Sequence, residues 1–98
     1  MRRVAGLAVG ALALLLAACS ADTNDFKHET ERFIKGSYEI RQQLGTTFTK
    51  AECEEPQETA VGASYQCVAV AADGTTWDFA VEISEKNRFE VVDYKVRA

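Results

Sequence analysis

The most reactive side chains of this 98-residue chain are three cysteines, Cys19, Cys53 and Cys67, and a single histidine, His28. A histidine acts as a general base when a nucleophile lies within hydrogen-bond reach. Ser37 lies nine residues beyond His28, about two and a half turns away on a helix. The sequence therefore predicts an exposed histidine, no catalytic residue, no cofactor and no enzymatic activity.

Cys19 ends an N-terminal segment typical of an export signal. Two arginines at positions 2 and 3 precede 15 consecutive apolar or glycine residues, positions 4–18, fewer than the roughly 20 that a spanning helix needs. This pattern is typical of a secretory signal peptide. The ending LAAC, positions 16–19, resembles a bacterial lipobox, in which small residues give a peptidase access and the cysteine thiolate is alkylated by a diacylglyceryl group.

We therefore predict that residues 1–18 are removed, that Cys19 is lipidated, that residues 19–24 form a short tether, and that residues 25–98 form a single domain. An uncleaved signal anchor or a buried cysteine on a core helix fits these residues less well. Palmitate-like acyl chains contribute about 0.8 kcal/mol per buried methylene, so two chains give stable membrane attachment. The expected location is the outer face of the cell membrane.

The net charge of the chain limits the classes of molecule that the protein is expected to bind. The net charge is −4, and removal of the two N-terminal arginines lowers it to −6. An acidic domain lacks the basic surface that nucleic-acid binding requires. It is also repelled by anionic lipid headgroups. Beyond the membrane that holds the lipid, the expected partner is another envelope protein or a ligand of unknown identity.

Cys53 and Cys67 are predicted to form a disulfide, because export places them in an oxidising compartment. The bond closes a loop of about 15 residues, which the chain-entropy model values at about 3 kcal/mol. A redox-active or metal-binding pair is the alternative, but the pair lacks CxxC spacing and a nearby histidine.

An acidic cluster lies around the first cysteine of this pair. It contains Glu52, Glu54, Glu55 and Glu58. Calcium requires six to eight converging oxygen ligands, and this loop has no ladder of Asp and Asn residues. The sequence favours a solvated acidic loop and no metal site, although binding of a cation stays open.

The pattern of apolar residues predicts an α+β fold. Residues 25–44 read as one amphipathic helix, capped by Asp22, Asn24 or Asp25 and ended by Gly45. Its apolar stripe consists of Phe26, Thr30, Phe33, Ser37, Ile40 and Leu44, widened by Ile34 and Tyr38. An outward ion pair between Glu31 and Lys35 is expected, and Gly36 is a weak point.

After Gly45 the apolar period changes to two, which predicts strands at residues 46–53, 64–71, 75–83 and 88–96. The expected architecture is one N-terminal helix packed across a four-stranded antiparallel β-meander, with one disulfide. The last strand needs a bulge near Val91 and Val92 to bring its apolar residues onto one face.

The turn at residues 72–74 allows two registers for the hairpin around it. A two-residue loop pairs Val70 with Trp77 and turns Lys50 and Glu52 into the core. A three-residue loop with Gly74 left-handed pairs Ala69 with Trp77, and it places the disulfide, Thr49 and Ala51 on the core face. Burying unpaired charges costs several kcal/mol. We therefore predict the three-residue loop.

The predicted strands resemble a family of bacterial, mostly actinobacterial, lipoproteins that carry the domain of unknown function numbered 4333. The motifs are CEEP at 53–56, VGASYQC at 61–67 and ADGTTW at 72–77. The resemblance covers residues 35–96 and implies a disulfide-bonded envelope lipoprotein. The proline at position 56 departs from the family pattern, in which it directly follows the cysteine. No catalytic or ligand residues are implied.

Two functions from different classes follow from these features. The first is a non-enzymatic, lipid-anchored binding or supporting module of the cell envelope, with a partner surface at the half-exposed Val68 and Val70 beside Thr76 and Asp78. The alternative is an inhibitor of an exported enzyme that presents the loop at residues 54–63.

Overall fold

The computed structural model describes residues 12–15, as backbone only, and residues 21–97. Cys19 and residues 1–11, 16–18 and 20 lie outside the described residues. The elements in chain order are β1 (Leu12–Leu15), α1 (Thr23–Gly36), α2 (Tyr38–Leu44), β2 (Phe48–Cys53), β3 (Ser64–Ala71), β4 (Thr76–Glu85) and β5 (Arg88–Val96).

The strands form one antiparallel sheet in the order β1-β5-β4-β3-β2. The predicted four-stranded meander is confirmed as β2 to β5, with helices packed against one face. The additional strand, β1, lies within the predicted signal peptide and pairs with the outer edge of β5, from Leu12 opposite Val91 to Leu15 opposite Arg88. The apolar pattern of the sequence did not predict this pairing.

The single helix predicted for residues 25–44 is wrong, because the structure has two helices that meet at Ser37. Gly36 is a poor helix former, and Ser37 takes an extended conformation that starts a new helix. The Ser37 hydroxyl accepts hydrogen bonds from the backbone N–H groups of Glu39, at 3.0 Å, and Ile40, at 3.4 Å. The break leaves Tyr38 65% exposed and outside the apolar stripe.

The outer ends of the helical region are as predicted. Asp22 caps α1 in a capping box with Asp25, in which each carboxylate accepts from the backbone N–H of the other residue. Gly45 ends α2 in the left-handed region at φ 71°. The four large apolar residues Phe26, Phe33, Ile34 and Ile40 are buried against the sheet.

The predicted hairpin register is confirmed. Ala69 lies opposite Trp77 and Cys67 opposite Phe79, across a loop of three residues that includes Gly74 at φ 91°. Lys50 and Glu52 are exposed, as the charge argument required. The predicted bulge is also present, since Ala80 pairs with Asp93 and Val81 with Val91, which leaves Val92 unpaired.

The predicted position of Thr49 on the core face is wrong. The register of β2 shifts between Phe48 and Lys50, so Thr49 lies at an irregularity and is exposed. Phe48 fills the core, with its ring 5.4 Å from the rings of both Trp77 and Phe79. The larger apolar side chain is the one that gains more from burial.

Two specific contacts hold α1 against the sheet in addition to apolar packing. The rings of Phe33 and Phe89 meet edge-to-face at 5.7 Å. The buried Thr30 hydroxyl donates to the Phe26 carbonyl and accepts from the Tyr65 hydroxyl, both at 2.6 Å. Burial raises the pKa of Tyr65 to about 12.

Candidate interaction surface

The sheet face opposite the helices carries the predicted partner surface. Val68 and Val70 are half-buried on this face, because their neighbours Cys67, Ala69 and Ala71 point into the core. Val68 lies opposite Asp78 on one side and Glu52 on the other. The two valines therefore form a short apolar row within a charged surface.

A shallow cleft of about 320 Å³ runs from this row around the outer edge of β2. Its lining residues are Lys35, Thr49, Lys50, Ala51, Glu52, Val68 and Val70. The cleft thus combines an apolar floor with a rim of both charge signs. This composition fits contact with a protein surface, where apolar contacts provide the buried area and a charged rim provides selectivity.

On the β4 side of the valines, the charge of Asp78 is neutralised by the C-terminal segment. Arg97 donates two hydrogen bonds to the carboxylate of Asp78, from Nε at 2.9 Å and from Nη2 at 2.8 Å. This pair holds the pKa of Asp78 below its usual value. The bidentate geometry also ties the last described residue to the sheet.

At the β2 edge, an ion pair from α1 binds both backbone polar groups of Cys53. Glu31 Oε2 accepts from the Cys53 N–H at 2.8 Å, and Lys27 Nζ donates to the Cys53 carbonyl at 2.9 Å. The two side chains also meet each other at 2.7 Å. Cys53 is joined to Cys67 directly opposite, with Cα atoms 4.0 Å apart, as predicted.

The predicted outward pair between Glu31 and Lys35 is therefore wrong. Glu31 is only 14% exposed, and its partners are Lys27 and the Cys53 N–H. Burial raises the pKa of Glu31, but the Cys53 N–H and the Lys27 ammonium outweigh burial and lower it overall. The hydrogen bond to Glu31 raises the pKa of Lys27. Both groups are thus held in their charged forms.

Two carboxylates of the acidic loop accept hydrogen bonds from neighbouring elements of the domain. The Glu54 carboxylate accepts from the backbone N–H of Gln66 at 3.1 Å, and the Thr23 hydroxyl donates to Glu55. Within residues 21–97 no group of three or more His, Cys, Asp or Glu side chains is arranged to hold a metal ion. His28 is 52% exposed, as predicted, with Nδ1 3.4 Å from Glu31 Oε1.

The structure describes residues 21–24 of the segment predicted as a tether. Ala21 is buried, and its N–H donates to Asn87 Oδ1 at 2.9 Å. Asn87 lies in the turn between β4 and β5 at φ 60°, a conformation that asparagine tolerates better than most residues. Residues 21 and 22 are therefore held by hydrogen bonds, Ala21 to Asn87 and Asp22 to the first turn of α1.

Two contacts that organise this region escaped sequence reasoning. The sequence did not indicate the Cys53 backbone as a partner of Glu31. Lys35, four residues after Glu31, is spaced for an i,i+4 ion pair on the helix. The pairing of Ala21 with Asn87 spans 66 positions. A short asparagine turn between two strands was the available hint, but it does not identify what the side chain binds.

No protein-family model, curated protein or solved structure matches this chain. The resemblance to the family with domain 4333 therefore stays a prediction. Among the described residues, no helix is long and apolar enough to span a membrane.

Proposed function

We propose that the mature protein is a lipid-anchored module of the cell envelope that binds or supports another envelope component without catalysis. The observation that carries this proposal is the LAAC sequence at positions 16–19 directly before a packed domain. Because the Ala21 N–H donates a hydrogen bond to Asn87, a lipid on Cys19 would hold the domain close to the membrane without a long flexible linker. Close attachment suits a protein that presents a fixed surface.

The position of the anchor orients the domain. The turn around Asn87 and the loop at residues 54–63 lie at the same end of the sheet, since the Gly62 N–H donates to the Ile83 carbonyl at 2.8 Å. This end would lie close to the lipid headgroups. The cleft at Val68 and Val70 lies on the flank of the domain, where it stays accessible to a neighbouring envelope protein.

The same orientation weakens the alternative of an enzyme inhibitor. An inhibitory loop must protrude toward its target, whereas residues 54–63 are bonded to the body of the domain. Glu54 bonds Gln66 of β3, Glu55 bonds Thr23 of α1, and Gly62 bonds Ile83 of β4. Their position beside the anchor also places them close to the membrane, which limits access to them.

Lipidation is tested by growing cells that express the protein on a clickable palmitate analogue. We expect label and membrane fractionation for the natural sequence and neither for Cys19→Ala. Cys53→Ala/Cys67→Ala is the matched control, because it removes the other cysteines and should keep the label. Persistence of the label in Cys19→Ala would contradict the proposal.

Binding is tested by placing a photo-crosslinking residue at Val70 in membrane-anchored protein. We expect one defined crosslinked envelope protein, absent when the crosslinker replaces Tyr38, which is more exposed than Val70. A charged substitution at Val68 should remove this product. Identical products from positions 70 and 38, or none at position 70, would contradict the assigned surface.

A further inference from the structure

The outer edge of β5 is covered by a segment that the mature protein is proposed to lose. Residues Arg88 to Val91 pair with Leu12–Leu15 of β1, which belongs to the predicted signal peptide. Removal of residues 1–18 leaves the outward backbone N–H and C=O groups of this stretch without strand partners. An open strand edge is a template for pairing with another chain. This step rests on the proposed function.

We propose that the mature protein fills this edge with β5 of a second copy, paired antiparallel and centred on Phe89. In this register Phe89 lies opposite its own counterpart, and Arg88 lies opposite Glu90 of the second copy. Two-fold symmetry repeats the pair, so the interface contains two cross-strand pairs of opposite charge. Such pairs stabilise a sheet, whereas like charges directly opposite destabilise it.

The burial pattern of β5 agrees with this register. Phe89 and Val91 are buried against the helices, so Arg88 and Glu90 point to the opposite face. Directly opposite residues of an antiparallel pair point to the same face. The two sheets therefore continue into one, with both helical layers on the same side. The bulge at Val92 limits the regular pairing to about residues 87–91.

The anchor is compatible with this arrangement. Ala21 is bonded to Asn87, two positions from the centre at Phe89. Both anchor segments therefore begin close to the two-fold axis, and both lipids can enter one bilayer when this axis is normal to the membrane plane. Confinement to a membrane also raises the effective concentration of the copies, which favours association through a short strand edge.

The test compares unlipidated chains carrying Cys19→Ala by analytical ultracentrifugation. All buried side chains of the described part lie between Ala21 and Val91, so residues 19–98 retain the whole described core. We expect concentration-dependent dimers for residues 19–98. The full chain 1–98 should associate at least tenfold more weakly, because β1 occupies the edge.

Charge reversals identify the surface used. Glu90→Lys places like charges opposite each other twice, and we expect at least a tenfold weaker dimer. Arg88→Glu/Glu90→Lys restores opposite charges and should restore dimerisation, which also shows that the singly substituted chain failed through charge rather than misfolding. Lys50→Glu is the matched control, since it reverses an exposed charge on the same sheet face at the other edge.

A monomeric 19–98 chain at all concentrations would overturn the proposal. So would a dimer that Glu90→Lys does not weaken, or a weakened dimer that the double substitution does not rescue. Because these chains carry no lipid, the outcome is independent of whether Cys19 is lipidated in cells. Absence of lipidation with a rescued dimer would reject the proposed anchor and keep the interface.

Discussion

The two edges of the sheet are closed by different means. At β2, α1 supplies Lys27 and Glu31, whose charged ends bind the carbonyl and the N–H of Cys53. At β5, the cover is β1, four residues of the predicted signal peptide. One edge is thus closed by the domain itself, and the other by a segment that processing is proposed to remove.

A small sheet protein can thus protect one edge permanently, while the protection of the other edge depends on whether a removable segment is present. Helix α1 packs along β2, and the disulfide joins β2 to β3 beside the ion pair. Helix α1 contacts β5 through the rings of Phe33 and Phe89, but among the described residues no disulfide joins β5 to a neighbouring strand. Unprotected edges invite intermolecular pairing, so the contrast predicts where association occurs.

Removing the disulfide should have the greatest effect on the β2 edge. We expect Cys53→Ala/Cys67→Ala to lower the free energy of unfolding by about 3 kcal/mol, because the unfolded chain regains the entropy of the closed loop. Urea unfolding of residues 19–98 measures this loss. A change below about 1 kcal/mol would show that the strand pairing and the ion pair hold this edge without the bond.

Removing the carboxylate of Glu31 should have the next greatest effect. We expect Glu31→Ala to cost about 2 kcal/mol, since it leaves the Cys53 N–H and the Lys27 ammonium without their partner. Glu29→Ala is the matched control on the same helix. Its pair with Arg32 is a surface pair, so its loss should cost less than about 0.5 kcal/mol. Equal losses would contradict the assigned role of Glu31.

The charge of Glu31 gives this edge a pH dependence. Because the folded protein lowers the pKa of Glu31, its stabilisation is present above the ordinary carboxyl pKa and is lost as pH falls through the lower folded value. We expect Glu31→Gln to cost about 1 kcal/mol at pH 7 and nothing once the wild-type carboxylate is protonated. Parallel unfolding curves for both chains from pH 7 to pH 2 would contradict this expectation.

The smallest effect is expected on the sheet face between the two edges. Val70 is half-buried opposite the helices, so Val70→Lys can extend its ammonium into water and should change the free energy of unfolding by less than about 0.5 kcal/mol. Thermal unfolding followed by circular dichroism checks this value. Loss of the folded state would mean that this face is covered and is not a partner surface.

Much of the fold could be predicted from the sequence, because the cost of burying charged side chains decides between alternative strand registers. Placing Lys50 and Glu52 in water selected the correct hairpin register, and the spacing of Phe89, Val91 and Tyr94 required the bulge. The break at Ser37 was missed because the apolar stripe continues across it. The cap that starts α2 depends on a local conformation that apolar periodicity does not encode.

The contacts that distinguish the two edges were less accessible. Glu31 had a plausible partner in Lys35, and the preference for the Cys53 N–H arises only when α1 lies against β2. The pairing of residues 12–15 with β5 was likewise hidden, because a run of apolar residues after two arginines indicates a signal peptide. A local pattern does not reveal a tertiary contact with a distant strand.

Amide hydrogen exchange tests the difference between the edges most directly. Residues 1–98 and 19–98, both carrying Cys19→Ala, are compared at a concentration where each is monomeric. We expect the outward-facing amides of residues 88–91 to exchange faster in the shorter chain, while the Cys53 amide stays equally protected in both. Equal protection of residues 88–91, or a Cys53 amide that exchanges freely, would contradict the two modes of edge protection.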